Sequence, residues 1–164
     1  MATTIHTLED LFQEQLKDLY SAETQLIAAM PKMAASAKDA TLAKAFESHL
    51  LETEQQHQRL HQIGQEMGID LTGHTCHAMK GLIKEGSEMM HEDATPEAMD
   101  AGLIACAQRI EHYEISGYGT ARHFAERLGH SQAASLLAQT LAEEQAADTK
   151  LNNLAKSSIN AKAM

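Results

Sequence analysis

Seven residues stand out by type and spacing: Glu23, Glu54 with His57, Glu111 with Glu114, and Glu144 with Asp148. Each pair is three or four residues apart, so on a helix both side chains project from one face. A carboxylate contributed by one helix and carboxylate–imidazole pairs by its neighbours form the donor pattern of two-metal sites in helical bundles. Taken alone, the stretch ETEQQH (52–57) reads equally well as a solvated polar patch. The choice depends on whether the helices carry these segments to one depth in a core.

The elements follow from composition and periodicity. Helix formers dominate the 164 residues, aromatic residues make up 4%, and there are two prolines. An all-α chain of this length is expected to form a single domain, 1–164, with a core over about 7–156. Thr7 is a natural N-cap, followed by apolar positions at Leu8, Phe12, Leu16, Leu19, Leu26, Met30 and Met33. Glu23 fills the gap in that series, and Pro31 is expected to kink the helix without stopping it. KDAT (38–41) reads as a short connection to a second helix through Phe46, Leu50, Thr53, His57, Leu60, Gly64 and Met67. Turn formers in MGIDLTGHT (67–75) precede a shorter helix from about Cys76 to His91. Thr95-Pro96 starts a third long helix that runs to Gly129, and a fourth begins near Ser131. After Lys156 the stretch 157–164 is expected to fray. Two helical hairpins joined by one long crossover make the ferritin-like variant of the four-helix bundle.

In an antiparallel hairpin, residues equidistant from the turn lie side by side. Glu23 and Glu54 are symmetric about the first connection, while Glu114 with Glu144 and Glu111 with Asp148 are symmetric about Gly129. Each pair lies about 15 to 18 residues from its turn, roughly 23 to 28 Å along the axis. The acids are therefore expected at mid-height on the core-facing stripe. Isolated buried charges cost several kcal/mol each, and no Lys or Arg occupies the stripe. Metal cations would compensate them; protonation or trapped water is the alternative.

The stretches DLYSAE (18–23), ETEQQH (52–57), RIEHYEISGYG (109–119) and LAEEQAAD (141–148) resemble the YciE/YciF stress-protein family of the ferritin-like superfamily. The resemblance runs in order over nearly the whole chain and implies the fold and a bacterial cytoplasmic setting. Ferroxidase is a name sometimes attached to that family. A more distant similarity is to rubrerythrins, whose di-iron site draws Glu from the first helix, Glu-x-x-His from the second, Glu-x-x-Glu from the third and Glu-x-x-x-His from the fourth. That resemblance implies Glu23, Glu54, His57, Glu111, Glu114, Glu144 and Asp148 as metal ligands, with Asp148 standing where a second histidine is expected. Such an oxygen-rich set suits two iron ions, or manganese, over copper or zinc. Six carboxylates exceed the charge of two divalent ions, so Glu111 or Asp148 is expected to be protonated or to stand back from the metal.

Thirteen basic against 23 acidic residues give a formal charge of −10, which argues against nucleic acid and anionic membranes as partners. The amino-terminal segment MATTIHTLEDLF lacks a signal-peptide pattern, and no apolar run is long enough to span a bilayer. Cys76 and Cys106 form no CxxC, so the cytoplasm is the expected location. Tyr20 and Tyr118 lie within a turn of Glu23 and Glu114 and are expected to hydrogen-bond carboxylates. Three functions are open. The first is a di-iron oxidoreductase of ferroxidase or peroxidase type acting on O2 or peroxide in a stress response, with no catalytic residue beyond the metal centre. The second is iron storage in a cage, and the third a non-catalytic structural or stress-interaction protein. A homodimer is expected over a cage.

Overall fold

The computed structural model describes residues 5–164, so the first four residues of the expected domain lie outside the described residues. Helix α1 (Leu8–Ser36) opens on a reciprocal cap. The Thr7 hydroxyl accepts from the Asp10 N–H, and the Asp10 carboxylate accepts from the Thr7 N–H. The helix continues through Pro31, whose ring is exposed. Helix α2 (Ala40–Met67) starts on Asp39, whose carboxylate accepts from the N–H groups of Thr41 and Leu42. It ends at Gly68, where φ of 68° demands a residue without a Cβ.

The crossover carries α3 (His77–Met90), and α4 (Pro96–Leu128) begins as expected on Thr95 with proline in its first turn. Helix α5 (Ser131–Leu154) completes a four-helix bundle in which α1 packs along α2 and α4 along α5. Helix α3 lies outside, against α1 and α4. All regular structure among the described residues is helical.

Two apolar layers close the bundle at its ends. One gathers Phe12, Leu16, Leu60, Ile63, Ala121 and Leu137; the other gathers Met33, Leu42, Phe46, Leu103, Leu151 and Ile159. A smaller cluster under α3 includes Leu26, Met79 and Ile110. Asp100, buried on α4, accepts from the backbone N–H groups of Lys38 and Asp39 at 2.7 and 2.8 Å. It thereby pins the α1–α2 turn to the second hairpin. Gly117 lets α4 approach α1 closely, since a Cβ there would stand 2.8 Å from Leu19 Cδ2.

The expected fraying of 157–164 is corrected. Residues Ala155–Ile159 form a π-helical turn that leads into the short α6 (Asn160–Lys162). Ala155 and Ile159 extend the apolar side of α5, and Ile159 is only 1% exposed. Lys162 Nζ, 3.0 Å from Asp39 Oδ2, ties this end to the first hairpin. Removing a buried isoleucine side chain leaves a cavity. Ile159→Ala should therefore lower the unfolding free energy by about 2–4 kcal/mol in urea denaturation, whereas Ser157→Ala on the exposed side should change it by less than about 0.5 kcal/mol.

Candidate metal centre

Between the two apolar layers lies a polar one. Glu23 of α1, Glu111 and Glu114 of α4, and Glu144 of α5 are each at most 2% exposed. Helix α2 contributes His49, which is 9% exposed. One ligand atom from each of His49, Glu111, Glu114 and Glu144 can be chosen so that all four lie within 4.8 Å of one another. His49 Nε2 stands 3.2 Å from Glu111 Oε1 and 3.8 Å from Glu144 Oε2, while its Nδ1 is 3.3 Å from Glu52 Oε2. Tyr118, fully buried, donates to Glu23 Oε1, as expected.

The expected inward placement of Glu54 and His57 is corrected. Glu54 is exposed, and His57 is half-buried on the outer side of the α1–α2 seam. There the imidazole stacks on Tyr20 with ring centroids 4.2 Å apart, and Nε2 is 3.1 Å from the Thr24 hydroxyl. The inward residues of ETEQQH are Thr53 and Gln56, both at most 1% exposed. The physical reason is register. On α2 the residues Leu42, Phe46, His49, Thr53, Gln56, Leu60 and Ile63 are buried, an alternation of four- and three-residue steps. His57 is one residue off that seam, about 100° around the helix.

Asp148 also stays out of the cluster. It is half-buried at the α4–α5 seam, where Oδ1 accepts from Gln108 Nε2 at 3.1 Å and lies 3.4 Å from His112 Nε2. Thus Glu23, Glu111, Glu114 and Glu144 are brought to one layer, and Glu54, His57 and Asp148 are not. His49 went unnoticed in the sequence. The signal that identifies it is the unbroken heptad spacing from Leu42 to Ile63, which places it inward.

Burial raises the affinity of Glu23, Glu114 and Glu144 for protons. Glu23 is pushed up to about 8, chiefly by burial, although the Tyr118 hydrogen bond and His49 pull the other way. Burial, then the charges of Glu144, Glu23 and Glu111, hold Glu114 well above the usual carboxylate range. Glu144 is raised by burial and by Glu111. For His49, burial opposes the charged form, but Glu111, Glu52 and Glu144 outweigh it and hold the imidazole well above its ordinary value.

The donor set fits metal ions on a structural criterion. Glu23 Oε2, Glu111 Oε2, both oxygens of Glu114 and of Glu144, and His49 Nε2 are buried without a hydrogen-bond partner. Native proteins pair the large majority of such atoms. The nearby Arg59 guanidinium does not serve them, because it is engaged with Glu143 at 2.6 and 2.8 Å. Four carboxylates carry −4 and would balance two divalent cations, which removes the excess that six would create.

Comparison with known proteins places this chain among relatives. The family model described as a domain of unknown function, DUF892, matches residues 7–164. Protein YciF of Escherichia coli K12 is 45% identical over 158 residues, covering 96% of this chain and 95% of its own length. The crystal structure of the E. coli stress protein YciF superposes with a TM-score of 0.92 at 44% identity, covering 95% of this chain and 99% of that one. YcfI from Rhodopseudomonas palustris, for which a structural role has been suggested, gives 0.89 at 43% identity, with 93% and 97% covered. A Xanthomonas campestris protein at 18% identity, with 94% of both chains covered, shares the fold with a TM-score of 0.75.

The raised carboxyl groups fix the sign of a pH dependence in metal-free protein. Their folded-state values exceed the unfolded ones, so the native state binds more protons and stability falls as pH rises from about 5 to 8. His49, also raised, contributes stability below its unfolded value that is lost on the same side. Each extra proton held contributes about 1.4 kcal/mol per pH unit. Chelator-treated protein should therefore melt lower at pH 8 than at pH 5, and Glu23→Gln should flatten that slope.

Proposed function

The chain belongs to the DUF892 family, and we propose that it is a di-iron carboxylate protein with ferroxidase- or peroxidase-like chemistry in a bacterial stress response. The observation that carries the reading is the layer of four buried carboxylates and one imidazole with seven unpartnered polar atoms. Glu23, His49, Glu111, Glu114 and Glu144 would hold the metal, iron being favoured by the oxygen-rich set and manganese the closest substitute. Iron held by these residues would supply redox chemistry toward O2 or peroxide. The chain's own residues orient and insulate. Tyr118 fixes one oxygen of Glu23, Glu52 holds the imidazole of His49 from outside, and the apolar layers exclude water above and below. A homodimer in the cytoplasm is the assembly we propose. No helix among the described residues is long and apolar enough to cross a membrane.

A non-catalytic role is the second reading, favoured by the suggested structural role of the Rhodopseudomonas relative. In that case the acids hold protons or water and the protein works through partners. Elemental analysis with a calorimetric Fe(II) titration of chelator-stripped protein separates the two. About two metals per chain are expected, with uptake reduced at least tenfold by His49→Ala or Glu114→Ala and unchanged by Glu54→Ala. Absence of measurable affinity in the unmodified chain would sink the metal centre. Sedimentation should give a species of twice the 17.9 kDa chain mass; a shell of many subunits would instead favour storage.

A further inference from the structure

An internal cavity of about 20 Å³ lies between α1, α2 and α4, beside the acid layer. Leu26, Met30 and Met33 of α1, Phe46 of α2, and Ala107 and Ile110 of α4 form its walls. All six are at most 6% exposed, so the space stands inside the bundle core. His49 and Glu111 close the remaining side and set it against the metal centre.

Two larger cavities share walls with it. Toward α3 a cavity of about 100 Å³, beside Ile83, Gly86 and Met90, shares Leu26, Met33 and Ile110. On the other side the α2–α5 seam is open. There Ala142, Ala146 and Ala147 of α5 lie opposite Ala45 of α2 and leave a cavity of about 380 Å³, which shares Phe46, His49 and Glu111 with the inner one.

Size and lining together select the occupant. One water molecule needs about 10–15 Å³ of such space, so the inner cavity admits a water or a diatomic gas and nothing much larger. A buried water requires polar partners, whereas cavities walled by carbon stay dry and take up apolar guests. The polar atoms at the closed side are not available as partners. His49 Nε2 and Glu111 Oε2 are buried and present no surface to the cavity, while Glu111 Oε1 stands 3.2 Å from His49 Nε2. His49 Nδ1 is turned outward, 3.3 Å from Glu52 Oε2. Hydrogen peroxide, with two O–H groups to satisfy, finds no free acceptor on these walls. It also converts thioethers to sulfoxides, which are polar and disrupt a core. Met30 and Met33 would be exposed to that reaction.

We propose that this cavity is a binding site for dioxygen, which it holds against the His49–Glu111 side of the metal centre. The proposal rests on the metal-centre reading for what the gas then meets, and it names dioxygen, not peroxide, as the oxidant. Binding itself needs no metal and makes or breaks no bond.

The test is to pressurise crystals of chelator-treated protein with xenon, an apolar probe of comparable size that enters dry cavities. Xenon density is expected between Met30, Phe46, Ala107 and Ile110. Ala107→Leu, which fills the space from α4, should abolish it while the melting temperature and Fe(II) uptake stay near those of the unmodified protein. If that variant does not fold, Ala107→Val carries the comparison as a smaller addition, with xenon occupancy expected to fall at least fivefold. In Fe(II)-loaded protein the filling variant should slow oxidation by dioxygen at least fivefold more than oxidation by peroxide. A cavity that stays empty under xenon, or holds water that xenon does not displace, overturns the binding site. Equal slowing with both oxidants overturns the assignment to dioxygen. Because the xenon experiment uses metal-free protein, its failure and failure of the Fe(II) titration are separate results.

Discussion

Four carboxyl groups in the middle of an otherwise apolar bundle are the constraint on which the rest of this structure turns. Without compensation each buried charge costs several kcal/mol, and the nearby Arg59 is engaged with Glu143. Partial relief comes from His49 and from the Tyr118 hydroxyl. Protons or metal ions must supply the remainder. The two alternatives have opposite consequences: protonation leaves a neutral polar layer suited to a structural role, whereas divalent ions turn the same oxygens into a reactive centre.

The surrounding architecture serves that layer. Apolar clusters close the bundle above and below the carboxylates, and Asp100 locks the two hairpins in relative register through the α1–α2 turn. The α4–α5 and α1–α2 seams are closely packed along their lengths, but the α2–α5 seam is lined by alanines and stays open beside the acids. That opening adjoins both the imidazole and Glu111. Crossover helix α3 stands on the far side and covers α1 and α4, leaving that opening clear.

The metal-site arithmetic also changed with the tertiary structure. Six carboxylates would overcharge a pair of divalent ions, and with Asp148 in place of a histidine the sequence pattern leaves α2 as sole source of imidazole, through His57. With Glu54 and Asp148 outside the layer the charge closes at four carboxylates. Helix α2 still provides the imidazole, but from a position eight residues earlier. The buried Thr53 and Gln56 occupy the inward face of the segment that the distant family comparison had made the ligand-bearing one.

Helix content, the caps at Thr7 and Thr95, the glycine stops at Gly68 and Gly129, and the hairpin–crossover–hairpin order were all legible in the sequence. Each depends on local propensity or on spacing within one element. Glu23, Glu111, Glu114 and Glu144 were legible too, because mirror symmetry about a short turn sets their depth. Three things were not. The rotation of α2 about its own axis distinguishes Gln56 from His57, and one residue there is a rotation of about 100°. The heptad spacing from Leu42 to Ile63 carries a trace of that angle, but the competing series through Leu50 and His57 is equally helical. The side chains of the other helices that fill the core decide between them. They also decide the docking of Ile159, which a tail read in isolation cannot reveal. The hole beside Ala147 belongs to no single segment: it exists because small residues on two helices distant in sequence meet. Sequence alone therefore determined the elements and the height of the acids, while tertiary packing decided which face each helix turns inward and where the bundle stays open.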